Sequence, residues 1–256
     1  MAENFLPILG SGILVAAASG LIGSFLVLRK MTLLSDALSH VALPGIALGI
    51  ILNSQPIVGG LIFLFIAIFT IWGIENKTKL AIESITGVLF VTALAIGALL
   101  IPEQEILETF FGDVKNISSF QIILQTIISI FIILITLKYL KSLVISSVAP
   151  DLASADKISP AKMQLLLLSL IALTITIGIS FVGILLMSAL SIIPAVTARN
   201  LSKNFKTFMV LSVLLSAGSL TIGLFTAQIY KINPGIATVL VSAFLFILSL
   251  LKQKSA

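Results

Sequence analysis

Long apolar runs of about 20 residues, separated by short polar connections, dominate the pattern along this chain. The runs cover residues 7–28, 33–52, 57–74, 80–101, 117–137, 163–182, 183–196, 208–227 and 234–251. A helix of that length crosses the hydrocarbon core of a bilayer, so each run predicts a membrane span. The two runs between residues 163 and 196 must be joined by a tight turn near residues 180–183. Eight spans plus a re-entrant segment is the alternative.

Composition supports the membrane assignment. Hydrophobic residues make up 59% of the 256 residues and charged residues only 10%, whereas soluble domains carry about a quarter charged residues. We therefore predict an all-α polytopic membrane protein with eight or nine transmembrane helices, forming a single transmembrane domain over residues 1–256. The net charge of +5 is spread in ones and twos between apolar runs, which argues against a nucleic-acid partner.

Basic residues fall mainly on alternate connections and so predict the orientation. Because cytoplasmic connections are enriched in Lys and Arg, we expect the N-terminus outside and the C-terminus in the cytoplasm. Only Lys115 and Lys231 fall on the opposite connections. The basic positions expected inside are Arg29, Lys30, Lys77, Lys79, Lys138, Lys141, Lys157, Lys162, Arg199, Lys203, Lys206, Lys252 and Lys254. The acidic connection expected outside carries Glu103, Glu105, Glu108 and Asp113; it is either a solvated loop or a surface that docks a partner or gathers cations.

The only histidine, His40, follows Asp36 by four residues inside the second apolar run. Side chains at i and i+4 lie about 40° apart on a helix and can approach one ion together. His40 lies roughly 15 Å along the helix from the Arg29–Lys30 pair, which places it near mid-bilayer. An unpaired ionisable group there costs about 2.5 to 3.5 kcal/mol, so it calls for a partner or a function.

Several roles for this pair remain open from the residues alone. The chain has no cysteine, so any metal ligand must be oxygen or imidazole nitrogen. One chain offers too few ligands for a transition metal, but two copies around a twofold axis would supply two oxygens and two nitrogens, which suit Zn²⁺ and tolerate Mn²⁺ or Fe²⁺. Alternatively, Asp36 and His40 bond each other as a packing device, or form an intramembrane hydrolase with Ser35 and Ser39.

A proline further shapes this span. Pro44 cannot donate to the carbonyl of His40, so we expect a kink there, and irregular backbone at membrane depth is tolerated where it lines a cavity. There is no GxxxxGK[ST] phosphate loop, so a pump driven by ATP needs a separate nucleotide-binding subunit. A stand-alone cation channel or secondary carrier needs no ATPase, but the inverted repeats typical of carriers are not evident.

The polar connection between Lys141 and Lys162 is the longest on the basic side. Pro150 and Pro160 bracket a short segment compatible with a helix, which carries Asp151, Asp156 and Lys157 among small residues. Such a segment is either a solvated loop helix or a contact surface for a cytoplasmic partner.

Four separated stretches resemble, in order, the permeases of the ABC-3 family, which import zinc, manganese or iron. They are LRKMTLLSDALSHVALPGIALG, FFGD ending at Asp113, VAPDLASA at 148–155 and FVGILLMSALSIIPAVTARN at 181–200. The resemblance implies a permease like those of type II ABC importers, in a prokaryotic plasma (inner) membrane. It also implies a homodimer, two copies of a cytoplasmic ATPase subunit that uses the ATP, and an extracytoplasmic metal-binding solute-binding protein.

By the same resemblance, Asp36 and His40 match the family's metal pathway, and Asp151 and Ala155 match positions of a cytoplasmic coupling segment at about 148–160. No catalytic residue and no permanently bound cofactor are implied, because the metal is the transported cargo. Zinc is favoured over manganese and iron. The chain departs from the family pattern at Ser35, where glycine is common, and at Lys157, where a small residue or glycine is expected.

Overall fold

The computed structural model describes residues 2–78, 80–101, 110–112 and 117–253, and all the regular elements in these ranges are helices. They are α1 (Ala2–Leu28), α2 (Thr32–Val41), α3 (Leu43–Ile51), α4 (Pro56–Lys77), α5 (Ile82–Leu100), α6 (Ser119–Lys138), α7 (Leu140–Val148), α8 (Pro150–Ala155), α9 (Pro160–Leu201), α10 (Phe205–Tyr230) and α11 (Pro234–Gln253). The predicted all-α fold is confirmed. The acidic residues Glu103, Glu105, Glu108 and Asp113 and the basic residues Lys79, Lys115 and Lys254 lie outside the described residues.

Nine segments in the described part of the chain are long and apolar enough to cross a membrane. Helices α2 and α3 together form one span, Thr32–Ile51, and α9 contains two, Pro160–Ile179 and Phe181–Leu201. The second of these has 21 residues, which is long enough to cross the bilayer and favours nine spans over eight plus a re-entrant piece. It also continues beyond residue 196, where the sequence pattern placed its end.

Helix α9 is broken at Gly183, within the predicted turn. Gly183 has φ 78° and ψ 171°, a backbone conformation that essentially only glycine adopts. A Cβ added to Gly178 would overlap the thioether of Met187, although residues nine apart in a straight helix are separated by roughly 13 Å. The two halves of α9 therefore fold back on each other.

The segment Phe110–Gly112 packs against this break. A Cβ at position 183 would overlap the backbone carbonyl of Phe110, and one at position 112 would approach the backbone nitrogen of Gly183. The side-chain amide of Asn233 donates to the Gly112 carbonyl at 3.3 Å, and its oxygen accepts from the Gly235 N–H at 2.8 Å. Three distant parts of the chain thus meet at the reversal of α9.

Burial separates central helices from peripheral ones. Helices α1, α9 and α10 pack on one another at the centre, and α2 lies between α9 and α5. Helices α4, α5, α6 and α11 are mostly exposed, and large apolar side chains such as Val88, Phe120 and Leu240 point outward. An exterior of this kind is suited to lipid rather than to water.

Helical hydrogen bonding is interrupted near Pro44, where the kink is predicted. Helix α2 ends at Val41 and α3 begins at Leu43, with Pro44 in its first turn. Pro44 has no backbone N–H to donate to the carbonyl of His40. That carbonyl instead accepts from the backbone N–H of Ala42. The interruption therefore lies immediately after the candidate metal ligand His40.

Candidate functional site

Asp36 and His40 both lie on α2, one helical turn apart, as the spacing predicts. Asp36 is partly buried and His40 is 8% exposed. Helix α2 packs against α5 and α9, so the surroundings of both side chains are supplied mainly by those two helices. The pair therefore presents a carboxylate and an imidazole on one short helix inside the helical bundle.

The carboxylate of Asp36 is held by a residue from α9. Ser188 donates from its hydroxyl Oγ to Asp36 Oδ1 at 2.8 Å, across 152 positions of sequence. Ser188 lies in the second half of α9, shortly after the break at Gly183. The sequence does not single out this serine, because many serines occupy apolar spans and nothing local indicates which one reaches Asp36.

His40 retains an unused nitrogen. Its Nδ1 atom is buried and has no hydrogen-bond partner among the described residues. The imidazole ring of His40 packs against the ring of Phe90 of α5 in a T-shaped arrangement, with ring centroids 5.2 Å apart and an interplanar angle of 66°. Leaving a buried nitrogen unpaired lowers the stability of the fold by about 1 to 3 kcal/mol. A ligand bound to Nδ1 would remove that penalty.

Two alternatives for the pair receive no support from this geometry. None of the hydrogen bonds found within the described ranges joins the Asp36 carboxylate to the His40 imidazole; Asp36 is bonded to Ser188 instead. Ser39 donates to the backbone carbonyl of Ser35 at 2.9 Å, and the hydroxyl of Ser35 has no partner. A hydrolytic site needs a hydroxyl bonded to its base, and neither serine is bonded to His40.

The described residues of a single chain do not form a complete metal site. Across residues 2–78, 80–101, 110–112 and 117–253 there is no group of three or more His, Cys, Asp or Glu side chains that could hold a metal ion. Asp36 and His40 supply one oxygen and one nitrogen donor, whereas zinc sites in proteins use three or four protein ligands. Beyond the described residues of one chain, water or another chain could supply further donors.

The predicted coupling segment, residues 148–160, begins at the end of α7 and contains one short helix, α8. Asp151 and Ala155 are exposed, as are the apolar side chains of Val148 and Leu152, each at 66%. Ala153 is fully buried and anchors α8 against the rest of the chain. An exposed apolar pair beside a carboxylate, in a polar connection, resembles a contact surface for another protein.

Lys157 follows the C-cap of α8 and has a left-handed backbone conformation, with φ 59°. The N–H of Ile158 donates to the Ala153 carbonyl at 2.9 Å and that of Lys157 to the Ser154 carbonyl at 3.1 Å. This is the helix ending in which glycine is the usual residue, because a Cβ is disfavoured there. Of the small residue or glycine expected at this position, glycine suits the backbone best, and lysine adopts the same conformation at a free-energy cost.

The start of α9 is tied to α4 directly after the coupling segment. Trp72 donates from its indole nitrogen to the Ala161 carbonyl at 3.0 Å, and Gln164 donates to the Glu75 carboxylate at 2.5 Å. Burial lowers the pKa of Arg29, in the turn between α1 and α2, and the Glu75 charge opposes that effect. Glu75 is thus hydrogen-bonded to the first turns of α9, and its charge also acts on Arg29 in the turn before α2.

These features define a class of protein: a multi-pass helical membrane protein with a polar site inside its bundle. Residues 1–253 match the ABC 3 transport family, and the chain belongs to it. The resemblance inferred from the four sequence stretches is confirmed.

Two characterised relatives are similar over nearly the whole chain. The high-affinity zinc uptake system membrane protein ZnuB of Haemophilus influenzae is 34% identical, covering 99% of each chain. The manganese import system permease protein ScaB of Streptococcus gordonii is 30% identical, covering 93% of this chain and 87% of that one. These relatives are transport permeases rather than enzymes.

A solved structure, that of PsaBC from Streptococcus pneumoniae in complex with Fab, has the same fold. The similarity has a TM-score of 0.85 at 28% identity and covers 95% of this chain and 90% of that one.

Proposed function

We propose that this chain is the permease subunit of an ATP-driven importer of divalent transition metal ions, with zinc as the first candidate cargo and manganese as the second. Asp36 and His40 contact the ion in transit. The observation that carries the proposal is their placement: a carboxylate and an imidazole with an unpaired buried Nδ1 lie one turn apart on α2, before the interruption between α2 and α3.

The proposal places this pair at the axis of a homodimer. The described part of one chain lacks a group of three donors, and a second copy would complete a set of two oxygens and two nitrogens. That set is acceptable to Zn²⁺, Mn²⁺ and Fe²⁺. Family membership argues against a stand-alone channel or carrier, since ABC permeases work with ATPase subunits.

Zinc is placed first because of both similarity and chemistry. The zinc uptake relative is 34% identical and the manganese relative 30%, a small difference in favour of zinc. At a site of nitrogen and oxygen donors, zinc also binds more tightly than manganese or iron. The uptake assay described below measures both metals and distinguishes between them.

The cytoplasmic partner in this proposal is an ATPase present in two copies, contacted by the segment 148–160. Exposure of Asp151, Leu152 and Ala155 on α8 supports this role. Because α9 begins directly after α8 and is bonded to α4 through Trp72, movement of α8 can reach the membrane helices. A metal-binding protein outside the cell would deliver the ion, with the N-terminus outside and the C-terminus in the cytoplasm, as the basic residues indicate.

Uptake of radioactive zinc and manganese by the permease, reconstituted with its ATPase and metal-loaded binding protein, tests the proposal. Asp36→Asn keeps the size of the side chain but removes its charge, and His40→Ala removes the nitrogen donor. We expect each to reduce uptake at least tenfold at equal amounts of assembled complex. Ser39→Ala is the control, because that hydroxyl bonds only its own helix.

The outcomes separate transport from packing. If His40→Ala or Asp36→Asn complexes assemble normally and carry either metal at the wild-type rate, the residue is not needed for that ion. If instead the variants fail to assemble, while the residual complexes transport normally per molecule, the pair serves packing alone.

A further inference from the structure

The hydroxyl of Ser188 differs from most other hydroxyl groups in the membrane helices. Serine and threonine within a helix commonly donate back to a carbonyl one turn earlier. Here Ser39, Ser129, Thr136, Ser169 and Thr174 all do so. Among the described residues, Ser188 is the only hydroxyl that donates to a carboxylate, and that carboxylate belongs to Asp36.

This hydrogen bond joins the two elements that are interrupted at the site. Ser188 lies five positions after the break at Gly183, and Asp36 lies six positions before the interruption at Ala42. Ser188 is 9% exposed, so water competes little for its hydroxyl. The bond therefore fixes the carboxylate of α2 against the second half of α9.

A bond to one carboxylate oxygen has a defined chemical consequence. With Oδ1 accepting from Ser188, the carboxylate cannot rotate freely, and Oδ2 is left as the oxygen with capacity for a cation. Outer partners that orient a ligating group typically contribute 10- to 100-fold in metal affinity or activity.

We propose that Ser188 is a positioning residue for the transport pathway: its hydroxyl orients the Asp36 carboxylate toward the passing metal ion. This inference rests on the proposed function, and it adds a residue from α9 to a pathway otherwise defined by α2. It also makes the carboxylate's orientation depend on the half-helix that follows Gly183.

The test compares three variants in the reconstituted complex of permease, ATPase and metal-loaded binding protein, at equal amounts of assembled complex. Ser188→Ala removes the donor and is expected to lower the rate of zinc uptake about tenfold. Ser188→Thr keeps the hydroxyl and is expected to retain at least about a third of the wild-type rate by the same reasoning. Ser191→Ala, another buried serine on the same half of α9, is expected to leave uptake unchanged. Manganese replaces zinc if the wild-type complex carries manganese alone.

A second readout separates positioning from simple packing. Ser188→Ala removes a buried hydrogen bond and is expected to lower the thermal midpoint below that of Ser191→Ala, so uptake is measured well below both midpoints, where both complexes remain folded. Wild-type uptake by Ser188→Ala would overturn the inference. So would a loss of uptake that Ser188→Thr does not restore, or one explained by unfolding of the Ser188→Ala complex at the assay temperature.

Asp36→Asn in the same assay keeps this inference distinct from the proposed function. If Asp36→Asn transports normally, the pathway assignment itself is wrong. If Asp36→Asn fails but Ser188→Ala transports normally, only the role of Ser188 is wrong.

Discussion

Replacement of Gly183 by alanine tests whether the reversal of α9 depends on backbone geometry. With φ 78° and ψ 171°, residue 183 occupies a region that costs an L-residue about 1 to 3 kcal/mol. A Cβ there would also overlap the Phe110 carbonyl and approach the backbone nitrogen of Gly112. Because both neighbours are backbone atoms, they cannot move without shifting the chain. We expect Gly183→Ala to lower the free energy of unfolding by at least about 2 kcal/mol.

The measurement is the free energy of unfolding in mixed detergent micelles, with helix content as the signal. Gly218→Ala is the matched control, because it lies in α10 and an added Cβ meets nothing within 4 Å. Alanine is the better helix former, so this control should be neutral or stabilised by up to about 1 kcal/mol. Equal stability of the two variants would refute the assignment of a strained, glycine-dependent turn at residue 183.

Three further predictions concern orientation, coupling and a helix end. Single cysteines introduced into this cysteine-free chain at Glu105 and Lys77 should react with an impermeant maleimide in intact cells only at position 105; labelling at 77 would reverse the topology. Ala155→Trp should preserve assembly with the ATPase but lower uptake several-fold, because a protruding ring separates the contacting surfaces. Ala155→Ser should leave uptake unchanged. Normal uptake by the tryptophan variant would show that α8 is only a surface helix with no role in coupling. Lys157→Gly should raise the free energy of unfolding by about 1 kcal/mol, since its φ of 59° is left-handed and glycine relieves that strain; an unchanged or lower value would contradict this.

The membrane spans and the pair on α2 follow from local properties of the sequence. The length of an apolar run determines whether a helix can cross a bilayer, so the spans were predicted within a few residues of their observed bounds. The i, i+4 spacing of Asp36 and His40 places them together on any helix, and Pro44 interrupts that helix wherever it packs. The break at Gly183 was expected because two spans had to fit between residues 163 and 196.

Only the tertiary structure decided what surrounds these local features. It selected Ser188 as the partner of Asp36 and Phe90 as the ring against His40, and it brought Phe110–Gly112 onto the break in α9. Periodicity and spacing describe neighbours along one helix, whereas these contacts join helices far apart in sequence. Many serines and phenylalanines are chemically equivalent until packing brings one of them within reach of the site.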